Sequence, residues 1–124
     1  GVKTAVRYTI HGTGQTTGGL EKLSETDIAN IAASFQQAVV DVLVKKTMRA
    51  VAQTRASNVV LGGGVAANRT LRKALAAECE DRKLAFYAPK MAYCVDNAAM
   101  IASMGFYMFA NGQTASLDVD VRAR

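Results

Sequence analysis

From Ile28 onward, apolar side chains return every three or four residues: Ile28, Ile31, Phe35, Val39, Val42 and Leu43 fall on one stripe. That period predicts a long amphipathic helix ending near Thr54. Its start is marked by SETD at 24–27, a hydroxyl followed three residues later by an acid, which is the capping-box pattern. Lys45, Lys46, Arg49 and Arg55 gather toward the other end, where cations oppose the helix dipole. Upstream, VKTAVRYTI at 2–10 has apolar residues at 2, 5, 6 and 10, a helix-like spacing, although its valines leave a strand open. HGTGQTTGGL at 11–20 carries four glycines and three threonines and reads as a loop, with His11 as a solvated loop histidine.

Downstream the pattern changes. NVVL at 58–61 is a compact apolar run suited to a buried strand, and LAFY at 84–87, closed by Pro89, is a second one. Between them a helix is predicted over 65–83, with apolar positions at 66, 71, 75 and 79. A third apolar helix, AAMIASMGFYMFA, follows a loop that begins at Tyr93, and Gly105 within it reads as a point of close helix packing. SLDVDV at 116–121 alternates in the manner of an edge strand or an extended tail. Strands alternating with helices predict an α/β layer with parallel pairing. Two short strands make a thin sheet for 124 residues, so the chain is expected to complete a sheet belonging to something larger.

Composition adds modest constraints. With 50% hydrophobic residues and one proline, a packed core is expected and disorder is not. Fifteen Lys and Arg against ten Asp and Glu give a formal charge of +5. This suits an anionic partner such as a nucleotide or RNA, but the basic residues are spread over the predicted helices and also suit an ordinary solvated surface. Cys79 and Cys94 form no C-x-x-C pair, which excludes a zinc ribbon or redox motif and leaves two structural thiols in a reducing compartment. No signal peptide is visible, and no apolar run approaches the roughly 18 residues of a membrane span. The expected location is therefore cytoplasmic. The opening GVKTAV, without Met, suggests a cut or processed chain.

The first chemical signal is NVVLGGGVAANRTLR at 58–72. Three glycines stand between a strand and a helix, where regular backbone is least stable. Without Cβ atoms the backbone can take φ > 0 and a ligand can come close, while a helix start offers unpaired N–H groups. Anions and purine rings can both use such a ledge. No Gly-Lys-Ser/Thr follows, so this is not a Walker loop, and the spacing is not that of a dinucleotide fingerprint. The alternative is a tight turn that lets strand and helix pack closely. Asn68, one turn into the predicted helix, could face a sugar or base edge, or bond locally to backbone. Arg69 and Arg72 could reach phosphate, or be solvated.

The second signal is YCVDNAAMIA at 93–102, where Asp96 or Asn97 stands at a helix start. Either residue is a preferred N-cap, and Asp96 could instead present a carboxylate to a metal or phosphate. One aspartate cannot hold a transition metal without histidine or carboxylate partners, and the chain contains a single histidine.

Together, VVLGGGVAANRTLR and YCVDNAAMIA resemble the C-terminal half of the TsaD family, also called Gcp and long described as O-sialoglycoprotein endopeptidases. GVKTAV is similar to the family's S-G-[LV]-K-T segment, DIANIAASFQQAVVDVLVKKT to its long helix, and ASLDVDVRAR to its terminal G-x-x-V-x-x-R segment. The likeness runs in order over nearly the whole chain. It implies an ASKHA fold, the actin-like ATPase architecture of two related α/β domains. It also implies transfer of a threonylcarbamoyl group from threonylcarbamoyl-AMP to an adenosine of tRNA, with an iron or zinc ion in the cleft. Carried over by motif, Asp96 matches the aspartate of C-[TV]-D-N and becomes a metal ligand. Asn68 matches the asparagine of G-G-V-[AS]-A-N and becomes a contact to the nucleotide. Gly62, Gly63 and Gly64 form the ledge beneath the adenosine. No catalytic residue is assigned.

The family's H-x-x-x-H metal motif belongs to an N-terminal half not found in these residues. The chain is therefore expected to be inactive alone, with tRNA, that N-terminal half and other subunits of the threonylcarbamoylation complex as partners, and no membrane. Two other readings compete. A metal-dependent glycoprotease, the older description, is disfavoured because no H-E-x-x-H is present. A non-catalytic binding or scaffold module would use the 27–54 stripe as an interface and form homo-oligomers. A sugar kinase or chaperone ATPase of the same architecture is disfavoured by YCVDNAAMIA.

Overall fold

The computed structural model describes residues 1–120. Helix α1 (Val2–His11) and helix α2 (Glu25–Thr54) are followed by strand β1 (Asn58–Val60), helix α3 (Arg69–Asp81), strand β2 (Ala85–Tyr87) and helix α4 (Ala98–Ala110). The strands pair in parallel, with Asn58 opposite Ala85, Val59 opposite Phe86 and Val60 opposite Tyr87. β1, α3 and β2 thus make a β-α-β unit, as the alternating pattern predicts.

Helix α2 starts where the capping box places it. The Ser24 hydroxyl accepts from the Asp27 N–H at 3.1 Å, and the Asp27 carboxylate accepts from the Ser24 N–H at 3.0 Å. The Ser24 hydroxyl also donates to the Asp27 carboxylate at 2.6 Å, and this bond first, then that of the Ser24 N–H, holds the Asp27 carboxyl below its ordinary value. At the other end Arg55 takes a left-handed conformation, φ 56°, and the chain leaves for β1.

The apolar surface of α2 differs from the single expected stripe. Ile28, Ile31 and Phe35 face α1, enclosing a small cavity of about 180 Å³ with Val6 and Ile10. Farther along, Val40, Val44, Met48 and Val51 turn to α3 and the sheet, while Val42 and Leu43 stay exposed. A 30-residue helix with neighbours on different sides distributes its apolar residues over more than one face. The main core joins Val40 and Met48 to Val59 of β1 and to Leu71, Leu75 and Cys79 of α3. Ala66, Leu71, Leu75 and Cys79 are all buried, in agreement with the positions read at 66, 71, 75 and 79. Burial pushes the Cys79 thiol up, and neighbouring Glu78 adds to this.

Other expectations are corrected. α1 is a helix throughout, which settles the choice its valines left open. His11 is the last residue of α1, not a solvated loop residue. It is half-buried, and its Nδ1 accepts from the Gly19 N–H at 3.1 Å. Gly19 is buried, and only glycine fits there because a Cβ would sit 1.7 Å from the Ile10 carbonyl oxygen. No part of 116–120 is strand: a turn occupies Leu117 and Asp118, where the Ser116 hydroxyl donates to the Asp118 carboxylate. Val121, the end of that expected strand, lies outside the described residues. Gly105 meets no atom within 4 Å of an ideal Cβ, so it marks no close packing among the described residues. α4 is apolar on every side yet buries none of its residues. The sheet is likewise open on one face, with Val60 77% and Tyr87 59% exposed.

Candidate functional site

Both parallel strands end at the same edge, and the backbone beyond them forms the site. After Val60 come Leu61 and the glycines; after Tyr87 come Ala88 and Pro89. Between these segments lies an open groove of about 580 Å³, walled by Gly62, Gly63, Tyr87, Pro89, Tyr93 and Met100. The crevice beyond the carboxyl ends of parallel strands is where α/β sheets bind ligands, because the chains diverge there and leave backbone groups unpaired. Leu61 is the last residue tied to the partner segment, donating its N–H to the Tyr87 carbonyl at 2.8 Å. The next two N–H groups, of Gly62 and Gly63, donate to no backbone carbonyl among the described residues.

The three glycines are not equivalent. Gly63 has φ 82°, where a side chain is strained, so glycine is required for the turn itself. Gly62 and Gly64 lie outside that region, and a Cβ on either would meet nothing within 4 Å. Nothing in the folding of the described residues calls for glycine at these two positions. The bare backbone there faces open space.

The helix start is corrected. A short 3-10 turn spans Gly64–Ala67, and α3 begins only at Arg69. Asn68 is its N-cap, not a residue one turn inside. Its Oδ1 accepts from the Leu71 N–H at 2.9 Å, and its Nδ2 donates to Gln36 Oε1 of α2 at 3.1 Å. The local role read as an alternative for Asn68 is therefore present. The remaining lone pair and amide hydrogen are left for other contacts.

Asp96 and Asn97 divide the functions that the sequence left joined. Asn97 caps α4, its Oδ1 accepting from the Met100 N–H at 3.2 Å and its Nδ2 donating to the Val95 carbonyl at 2.9 Å. Asp96 is exposed and is not needed as a cap. The loop that carries it contributes Tyr93 to the groove, and α4 contributes Met100, so ledge and loop share one depression. Gly64, Asn68 and Asp96 stand outside the groove wall itself.

No group of three or more His, Cys, Asp or Glu that could hold a metal ion occurs among the described residues. Asp96 offers one carboxylate. By the chemistry of its donor set, the described part of this chain does not by itself fit an iron or zinc ion.

Arg72 has a role that the sequence did not disclose. It neither reaches into the groove nor stands free in solvent. Its Nε donates to the Ala66 carbonyl and one Nη to the Pro89 carbonyl, and the same nitrogen lies 3.0 Å from Cys94 Sγ. Cys94 is buried, and its thiol also faces the Lys90 carbonyl at 3.6 Å. Arg69, by contrast, is exposed. Arg69 and Arg72 both lie within about one turn of the cap, and no local sign distinguishes them. Only the return of the chain after β2 does so.

The family model described as "TsaD: tRNA N6-adenosine threonylcarbamoyltransferase" matches residues 1–103. A Desulfotalea psychrophila protein is 45% identical over 124 residues, covering 100% of this chain and 35% of the relative. One from Caldicellulosiruptor saccharolyticus is 41% identical over 116 residues, covering 94% of this chain and 33% of the relative. One from Sorangium cellulosum is 48% identical over 97 residues, covering 78% and 27%. All three relatives are named tRNA N6-adenosine threonylcarbamoyltransferase. The chain spans about a third of the length of the curated relatives it matches.

Proposed function

Because the chain belongs to the TsaD family of tRNA N6-adenosine threonylcarbamoyltransferases, we propose that it forms one wall of the cleft in which that transfer takes place. The β-α-β unit is read as part of the ASKHA architecture, in which a ligand lies across the ends of parallel strands. The glycine ledge takes the adenosine part of threonylcarbamoyl-AMP. Gly62 and Gly63 bring backbone N–H groups to the groove, and Tyr87, Tyr93 and Met100 supply apolar surface for a purine ring. Asn68 uses its spare amide capacity toward the ribose. The acceptor is an adenosine of tRNA, in the cytoplasm, and the net charge of +5 favours that polyanion.

The observation that carries this reading is the bare ledge. At Gly62 and Gly64 the described chain leaves space it does not use, at the edge of the sheet where ligands bind.

Asp96 is proposed as one ligand of an iron or zinc ion, its remaining ligands supplied by parts that the relatives have and these residues do not. The metal would act as a Lewis acid on the substrate. The described residues bind and orient the nucleotide and place one carboxylate. On this reading the 124-residue chain alone transfers no threonylcarbamoyl group, because one wall neither completes the metal site nor encloses the nucleotide.

Titration of the purified chain with AMP, followed on the amide resonances of Gly62, Gly63 and Gly64, tests the ledge. Saturable shifts confined to these glycines and the groove residues are expected. An unchanged spectrum at millimolar AMP rejects the ledge as a nucleotide site. Threonylcarbamoyl transfer to tRNA by the chain alone would overturn the expected inactivity.

One observation favours assembly as a second property. α4 exposes Ile101 at 77%, Phe106 at 66% and Phe109 at 72%, apolar side chains on a helix that buries none of its residues. On this reading the interface is assigned to α4 and not to the 27–54 stripe. Light scattering of the purified chain distinguishes an oligomer paired through α4 from a strict monomer.

A further inference from the structure

The Arg72 guanidinium joins three segments distant in sequence: the turn after the glycines at Ala66, the end of β2 at Pro89, and Cys94, two residues before Asp96. Each of these segments borders the groove or the Asp96 loop. The backbone of Arg72 lies in the first turn of α3, directly after buried Leu71. A planar guanidinium can direct several N–H bonds at fixed angles, which an ammonium group cannot. The loop from 88 to 97 has little else to fix it. Its backbone bonds from Tyr93 and Cys94 are local, to Lys90 and Met91.

We infer that Arg72 is a positioning residue of the nucleotide site: it sets the distance between the glycine ledge and the loop that carries Tyr93 and Asp96, without touching the ligand. This rests on the ledge reading above. The arginine side chain is half-buried, and its Nε and one Nη are taken up by protein groups, so it serves the two walls before any phosphate. With Arg72 gone, the two walls of the groove lose their common anchor. Small displacements of a binding wall produce large losses.

The test uses the whole 124-residue chain with Arg72→Met, Arg72→Lys and, as a control for stability alone, Leu75→Val. Two properties are read at a temperature where thermal melts show every variant folded: AMP affinity from the glycine amides, and the rate of Cys94 alkylation by iodoacetamide. Arg72→Met is expected to weaken AMP about tenfold or more and to open Cys94 to alkylation while Cys79 stays protected. Arg72→Lys keeps the charge and can reach one carbonyl, so it recovers part of the affinity. Leu75→Val, which loosens the core without touching either wall, leaves both properties as in the wild type.

Wild-type AMP affinity retained in Arg72→Met overturns the positioning role alone. An equal loss in Leu75→Val also overturns it, since the effect would then follow stability. A wild-type chain that gives no AMP response overturns the ledge reading, and the positioning role with it.

Discussion

Asn68 ties the start of α3 to the long helix: one side of its amide caps the Leu71 N–H and the other donates to Gln36 across 3.1 Å. The residue closing the glycine turn is thus fixed from two directions. Asn68→Asp preserves the acceptor for the cap and removes the donor to Gln36, whereas Asn68→Ala removes both. Chemical denaturation should show a loss of about 1 kcal/mol for Asn68→Ala and a smaller one for Asn68→Asp. On the proposed reading both should weaken AMP, because the Asn68 amide is the group assigned to the ribose.

The ledge glycines separate stability from binding. At Gly63, with φ 82° and ψ 175°, the backbone lies in a region nearly reserved for glycine, and alanine is unfavourable by about 1–3 kcal/mol. Gly62→Ala meets no neighbour and no strained φ. It should leave the melting temperature unchanged or raise it, with a gain of up to roughly 1 kcal/mol from the unfolded state. The same substitution should abolish the AMP response. A Gly62→Ala chain that binds AMP like the wild type would show that the missing side chain has no bearing on the ligand.

Leu71 is 2% exposed and lies between the cap at Asn68 and the anchor at Arg72. Leu71→Ala is expected to cost about 2–5 kcal/mol, a large part of what holds a domain of this size. Urea unfolding measures it directly. A loss under about 1 kcal/mol would mean that the site collapses around the smaller side chain.

The capping box at the start of α2 predicts a pH dependence. The Asp27 carboxyl is held below its ordinary value of 3.8 by bonds that exist only in the folded helix. Its contribution is therefore complete above that value and disappears as the pH falls through the lower, folded value. Acid titration by NMR should show the Ser24 and Asp27 amide signals moving together below about pH 4. Asp27→Asn should remove this step.

Much of the layout was legible because it depends on local pattern. The SETD box placed the start of α2, and the positions 66, 71, 75 and 79 marked residues that prove to be buried. The parallel pairing followed from alternation of strand and helix. The failures have a shared cause in neighbours distant along the chain. Val42 and Leu43 continued a helical period but have nothing opposite them, and Val40 and Val44 met α3 instead. SLDVDV alternates like a strand, yet 116–120 pair with no other strand. Of the proposed site residues, Gly62, Gly63, Gly64, Asn68 and Asp96 stood out by residue type and motif. Arg72 did not, since its partners at Pro89 and Cys94 come together only after β2 has returned beside β1.

That return has a kinetic consequence. Asn58 and Ala85 are paired in parallel, so no hairpin can bring the strands together. The sheet must wait until α3 has formed and folded back, whereas α2, with its 30 residues and its own cap, gains contacts between near neighbours. The glycine turn is therefore among the last backbone to settle during folding, and the first to loosen on local opening. In hydrogen exchange, the amides of 61–67 should lose protection before those in the middle of α2, even under conditions where the chain remains folded.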